Sequence, residues 1–167
     1  MMDYVYKKED IVKYICYCWL DLKGAKGIYP VAVNIACYLS FAYYGGFMLF
    51  YESDGSNLYL FDGNFSYGDY YPIDEEVSEI IRNFQYIDGE YVTIEHLLIS
   101  KDHEAYQVVN WVLDQVVKLN DFALIASVEN DVAMDEPRVP WQPKVGKDDI
   151  IQEYHNVIKH HKMARGV

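Results

Sequence analysis

The chain has 167 residues, of which 51% are apolar and 24% charged, and its formal net charge is −12. This length and balance predict a single globular domain over residues 1–167 and exclude a disordered chain. The acidity is regional, because residues 46–136 hold nineteen acidic and three basic side chains; direct nucleic-acid binding is therefore not expected.

The first predicted element is a helix in the segment EDIVKYICYCWLDLKG, residues 9–24. Its apolar side chains recur at helical spacing, and Gly24 can end it in the left-handed conformation. The predicted inner stripe consists of Ile11, Ile15, Cys18, Trp19 and Leu22.

The second element lies in residues 27–51, twenty-five residues without a formal charge. A run of roughly 20 apolar residues is typical of a membrane span. However, Pro30, Asn34 and Ser40 are poor choices for a helix that faces lipid. Pro30 suits a first helical turn, and apolar residues follow on nearly every side as far as Gly45–Gly46. We predict the buried central helix of a globular domain, without a membrane.

A small β-hairpin is predicted next. Two short aromatic and apolar runs, FMLFY and LYLF, flank the segment ESDGSN at residues 52–57. An Asp-Gly pair between such runs is typical of a tight turn, so the hairpin would start directly after the glycine pair.

Further helices are predicted over residues 74–86, 103–120 and 121–128. The first opens at Pro72 and Asp74 with acids in its first turn, where the helix dipole favours them. Asp102 can cap the second. The inward-facing residues of the first are Val77, Ile80, Ile81 and Phe84.

Two segments between the helices are less regular. YVTIEHLLI, residues 91–99, favours either a short strand or the approach to the next helix. The prolines of DEPRVPWQP, residues 135–143, break regular structure, and a last helix starts at Asp148 or Asp149. The fold class predicted from these elements is mainly α with a small β-hairpin, as one helical domain around a central buried helix.

Motifs for catalysis, metals or cofactors are not found in the sequence. No two of the five histidines stand four residues apart, no Gly-x-Ser-x-Gly elbow occurs, and the glycines lack phosphate-loop spacing. Cys16, Cys18 and Cys37 lie in apolar helical stretches and suit neither a disulfide framework nor zinc. We therefore expect no catalytic residue, no metal and no cofactor. The alternative is an enzyme that acts through Cys37 or a histidine, which alanine replacement of Cys37 and His103 would test.

Tyrosine is unusually frequent, with seventeen residues. Tyrosine combines a large apolar body with a polar tip, which suits both half-buried core positions and protein interfaces. The segment YGDYYP, residues 67–72, lies beside acidic residues and is the best candidate for a contact surface. The acidic residues are either a solvated face or a contact for a basic partner.

Three motifs occur in the order of a known family. The segment VNIACYLSFAYYG resembles the early helix of the Panacea domain, the family of SocA-like antitoxins. Tyr67 to Pro72 is similar to its central Y-G-P-V-x-P signature, and Pro140–Trp141 followed by DDIIQEYHNVI is similar to its ending. The resemblance covers residues 9–160. The chain departs from the family pattern at polar positions, with Cys37, Ser40 and Asp69. The apolar positions that match in the early helix are Val33, Ile35, Leu39, Phe41 and Ala42.

The resemblance implies a protein that acts by binding another protein. Members of the family neutralise unrelated toxins, some are found on phages, and proteolytic-adaptor behaviour is described. We therefore expect a cytoplasmic, non-enzymatic inhibitor of a toxin, in keeping with the charged N-terminus that lacks a targeting segment. The alternative is a phage-encoded anti-defence protein, for example an anti-CRISPR, that blocks a host nuclease with its acidic surface. The candidate partner-binding residues are Tyr67, Asp69, Tyr70, Tyr71, Glu75, Glu76, Glu79 and Trp141.

Overall fold

The computed structural model describes residues 4–51, 58–66, 68–85, 99, 103–131 and 145–164. This part of the chain contains six helices and no sheet, which confirms the mainly helical prediction. Isolated bridges pair Tyr4 with Tyr59 and Ser66 with Ile73. The helices are α1 (Lys8–Leu20), α2 (Pro30–Met48), α3 (Glu75–Gln85), α4 (Glu104–Val116), α5 (Asp121–Val128) and α6 (Lys147–Ala164).

The second helix, α2, is the centre of the fold, as predicted. It packs against all five other helices, most extensively against α6 and then α4. Within the described residues, α2 is the one helix long and apolar enough to cross a membrane, but 78% of its apolar window is buried inside the fold. Val33, Ile35 and Phe41 are fully buried. α2 is therefore covered by the rest of the chain in the way of a core helix in a globular domain.

The predicted β-hairpin is wrong for the residues that the structure describes. α2 continues through Gly45–Gly46 to Met48, and residues 49–51 form a turn. The segment 52–57, the predicted hairpin turn, lies outside the described residues. Residues 58–61 run beside the start of the chain instead, where Tyr59 O accepts a hydrogen bond from the Val5 N–H at 2.9 Å.

The glycine pair lies inside the continuous helix α2, where it allows a close contact with α6. A Cβ atom on Gly46 would lie 2.7 Å from the backbone N of His155 and 2.8 Å from the carbonyl carbon of Tyr154. The His155 ring also hydrogen-bonds through Nδ1 to Gly46 O at 2.9 Å. Only glycine lets the two backbones approach this closely, so the pattern that predicted a turn encodes helix packing.

The ends of two helices refine the prediction. Gly24 has a left-handed φ of +67°, but it does not end α1 as predicted, because α1 ends four residues earlier at Leu20 and its C-cap Asp21 is right-handed. Leu22, predicted to face inward, lies beyond α1 and is 51% exposed. The cap of α4 is His103, whose Nδ1 accepts a hydrogen bond from the Ala105 N–H at 3.0 Å. The predicted cap Asp102 lies outside the described residues, as do residues 91–98 and 135–143.

A buried polar cluster joins α2, α6 and the chain after α5. Asp131 Oδ2 accepts hydrogen bonds from the hydroxyl of Tyr38, at 2.8 Å, and from the hydroxyl of Tyr154. Burial, followed by the charge of Asp131, raises the pKa of Tyr38, so its hydroxyl keeps the proton that it donates. The cluster fixes residue 131 against the central helix, because a buried carboxylate is stable only with such donors.

Candidate functional site

The tyrosine-rich segment forms a short loop that is closed by a backbone bridge. The Ser66 N–H donates to Ile73 O at 2.8 Å, and the Ile73 N–H donates to Ser66 O at 3.1 Å. At the start of the turn, a Cβ atom on Gly68 would collide with Tyr71 O, so the turn requires glycine there. Tyr70 projects from the loop and is 67% exposed.

Asp74 fixes the end of this loop to the rest of the protein. It is 2% exposed, and its Oδ1 accepts hydrogen bonds from the N–H groups of Glu76 at 2.9 Å and Val77 at 3.2 Å. Its Oδ2 accepts from the Asn64 N–H at 2.7 Å and pairs with Lys8 Nζ at 2.9 Å. Asp74 therefore caps α3 and also ties the loop to α1, which holds the exposed residues on either side of it in place.

The third helix carries the acidic part of the site. Val77, Ile81 and Phe84 are buried, which confirms most of the predicted inner stripe, while Ile80 is partly exposed. Glu75, Glu76 and Glu79 lie on the exposed side. Glu76 also pairs with Lys8 at 3.3 Å, although its own side chain is 72% exposed.

Five of the eight predicted residues are exposed in the structure and lie within residues 69–79, and we call them the loop–α3 surface. It consists of the exposed residues Asp69, Tyr70, Glu75, Glu76 and Glu79. Tyr71 was also predicted, but it is half-buried and packs against the core. Tyr67 and Trp141 lie outside the described residues.

Several exposed aromatic residues were not among the predicted site residues, and Phe122 is the most exposed of them in the described part of the chain. Phe122, in the first turn of α5, is 83% exposed. Its neighbour Asp121 contributes, after burial, to raising the pKa of Tyr71 in the tyrosine-rich loop. The sequence could have indicated this exposure, because helical spacing places Phe122 on a different side of α5 from Leu124 and Val128, which are buried.

The alternative site at Cys37 has the wrong environment for a nucleophile. Cys37 is fully buried, and burial raises the pKa of its thiol well above the ordinary value. Burial also raises the pKa of Cys16 to about 12 and that of Cys18 to about 11. A nucleophilic cysteine needs its thiolate, so these thiols are suited to packing. His103 uses its ring nitrogen as a helix cap.

Metal-ligating side chains do not gather in the described part of the chain, where no group of three histidine, cysteine, aspartate or glutamate residues could hold an ion.

Comparison of the chain with protein-family models finds no matching model, and comparisons with curated proteins and with solved structures find no match either. The helices and their packing define the class of protein as a helical domain built around a buried central helix. The resemblance to the Panacea domain stays a prediction from the sequence motifs.

Proposed function

We propose that this protein is a non-enzymatic inhibitor that binds a protein partner, the toxin of a toxin–antitoxin pair, through the loop–α3 surface. The observation that carries the proposal is Tyr70, which is 67% exposed on a loop whose end is fixed by Asp74. A loop whose end is fixed before binding loses less backbone freedom in a complex than an unattached loop does. Tyrosine in such a position is typical of interface hot spots.

The toxin as partner comes from the resemblance to the Panacea domain, and the loop is where the central motif of that resemblance falls. A cytoplasmic location is part of the same proposal. It is supported by Cys16, Cys18 and Cys37, which are all buried free thiols and thus suit a reducing compartment.

A second candidate is an anti-defence protein that blocks a host nuclease. It is favoured by Glu75, Glu76 and Glu79, which place three exposed carboxylates along one helix. Carboxylates in the positions of DNA phosphates would meet the basic groove of a nuclease, and the attraction would speed association.

The substitution Tyr70→Ala is expected to weaken partner binding by at least about tenfold, because a hot-spot aromatic contributes about 2 kcal/mol or more. The protein is co-expressed with the products of the genes beside its own, and the affinity of any complex is measured by calorimetry. Tyr51→Ala is the matched control, since Tyr51 is also 67% exposed but lies after α2. Equal losses for the two variants would remove the loop from the interface, and the absence of any stable complex would end the proposal.

Salt dependence separates the two candidates. For a nuclease, raising the salt from about 0.05 M to 0.5 M is expected to slow association by at least about tenfold, because exposed charges are screened. The double substitution Glu75→Gln with Glu79→Gln should remove a large part of that dependence. Stopped-flow association rates provide the measurement. An association rate that does not change with salt concentration would favour a toxin as the partner and count against a nuclease.

A further inference from the structure

A groove of about 230 Å³ lies between α2, α4, α5 and α6, and no residue of the loop–α3 surface lines it. The described residues that line it include Leu39, Tyr43, Trp111, Gln115 and Leu124. Its volume is below the roughly 300–1,000 Å³ of drug-sized ligand sites, and it suits a single large apolar side chain.

The walls of the groove offer mainly apolar and aromatic surface. The ring of Tyr43 makes edge contacts with Trp111 at 5.0 Å and with Tyr154 at 4.8 Å between centroids. Two polar groups of the walls already have partners within the protein: the Tyr154 hydroxyl donates to Asp131, and Ser127 Oγ donates to Leu124 O at 2.6 Å. An occupant is therefore expected to be apolar where it enters the groove.

The rim keeps large apolar side chains in contact with water. Trp111 is 49% exposed and Leu119 is 42% exposed, although both line the groove. An apolar pocket with a half-exposed tryptophan at its rim has the composition of an interface hot spot.

Charge decides between possible occupants. Two copies of a chain with a net charge of −12 repel each other, which disfavours a second copy of this protein. Within residues 104–131, Asp131 is buried and Asp114 pairs with Lys23. The other charged residues of this range are all exposed, and they are three acids against one base: Glu104, Asp121, Glu129 and Lys118. The complementary occupant is thus an apolar side chain on a basic segment.

We propose that this groove receives one large apolar side chain from a basic segment of the partner protein. The inference rests on the proposed function, because it assigns to the inhibited protein a second point of contact. It also names the chemistry of that contact, an apolar anchor with basic residues on its flanks.

The test uses a fluorescent helical peptide of leucine and lysine, with the leucines on one face, and measures anisotropy on titration with the whole protein. Ser127→Phe fills the groove and is expected to weaken peptide binding by at least about tenfold. Ala126→Phe is the matched control, because Ala126 is also a small, exposed residue of α5 but does not line the groove. This control substitution should change the affinity for the peptide by less than about twofold. Thermal melting checks that both variants fold, and Trp111→Ala, which removes part of the wall, replaces Ser127→Phe if that variant does not.

Several results would overturn the inference. They are no binding of the leucine–lysine peptide, equal binding by the Ser127→Phe and Ala126→Phe variants, and equal affinity for a peptide in which alanine replaces every leucine. The last result would show attraction by charge alone. Because the peptide assay needs no natural partner, its failure leaves the Tyr70→Ala experiment on the loop–α3 surface unaffected, and failure of that experiment leaves the groove unaffected.

Discussion

Replacing Gly46 by alanine is expected to lower the free energy of unfolding by about 2–4 kcal/mol, even though alanine favours a helix interior by about 1 kcal/mol. The new methyl group would meet backbone atoms of Tyr154 and His155, at 2.8 and 2.7 Å. Backbone cannot move aside as the tip of a side chain can, so α6 would have to shift away from α2. Urea unfolding followed by circular dichroism measures the change.

Two other glycines make this prediction specific. A Cβ atom on Gly45 would collide with Ile151 Cγ1 and would lie 3.0 Å from Leu58 O. Its closest contact is with a side chain and not with backbone, so Gly45→Ala should cost less than Gly46→Ala. Gly27 has nothing within 4 Å of such an atom and does not have a left-handed φ, so Gly27→Ala should be neutral or slightly stabilising. If Gly46→Ala were as well tolerated as Gly27→Ala, the close approach of α2 and α6 would be disproved.

Replacing Asp74 by alanine is expected to cost about 3–5 kcal/mol, since it leaves Lys8 as a buried cation without its main partner. Lys8 is 9% exposed, and its Nζ lies 2.9 Å from the Asp74 carboxylate. The substitution also removes the cap of α3 and the acceptor for the Asn64 N–H. Urea unfolding measures the loss of stability.

The matched control for Asp74→Ala is Glu75→Ala. It removes the same charge from the next residue, but Glu75 is exposed, so a loss of about 0.5 kcal/mol is expected from the helix dipole alone. Asp74→Ala also tests the candidate site. If Asp74 positions the loop, this substitution should weaken partner binding under conditions where the variant is still folded. Equal stability of the two variants would contradict the role assigned to the buried pair.

The helices were predictable because their signals are local. Spacings such as Val77, Ile81 and Phe84 depend only on the 3.6-residue period, and α2 could be identified by the absence of charge along its length. The hairpin was predicted wrongly because Gly45–Gly46 has two physical uses, a turn and a close helix contact. The partner in that contact, α6, lies about 100 residues further along the chain. Whether the glycine pair forms a turn or a helix contact therefore depends on tertiary packing, which local sequence does not show.

The candidate site was predictable to a similar degree. The exposure of Tyr70 and of the acids on α3 followed from loop composition and helix register. The half-burial of Tyr71 did not, because it depends on how the loop packs against the core. The groove beside Trp111 was not predictable either, since its walls come from four helices whose relative positions the sequence does not state.

The central position of α2 has a consequence for synthesis of the protein in cells. The chain leaves the ribosome from its N-terminus, so α2 emerges before α4 and α6, the helices that cover most of it. About 100 residues separate the end of α2 from the start of α6, which corresponds to about 5–20 s of translation. During that interval the nascent chain presents an apolar helix of membrane-span length. Yield in cells should therefore depend on chaperones that shield this helix until α6 has been made.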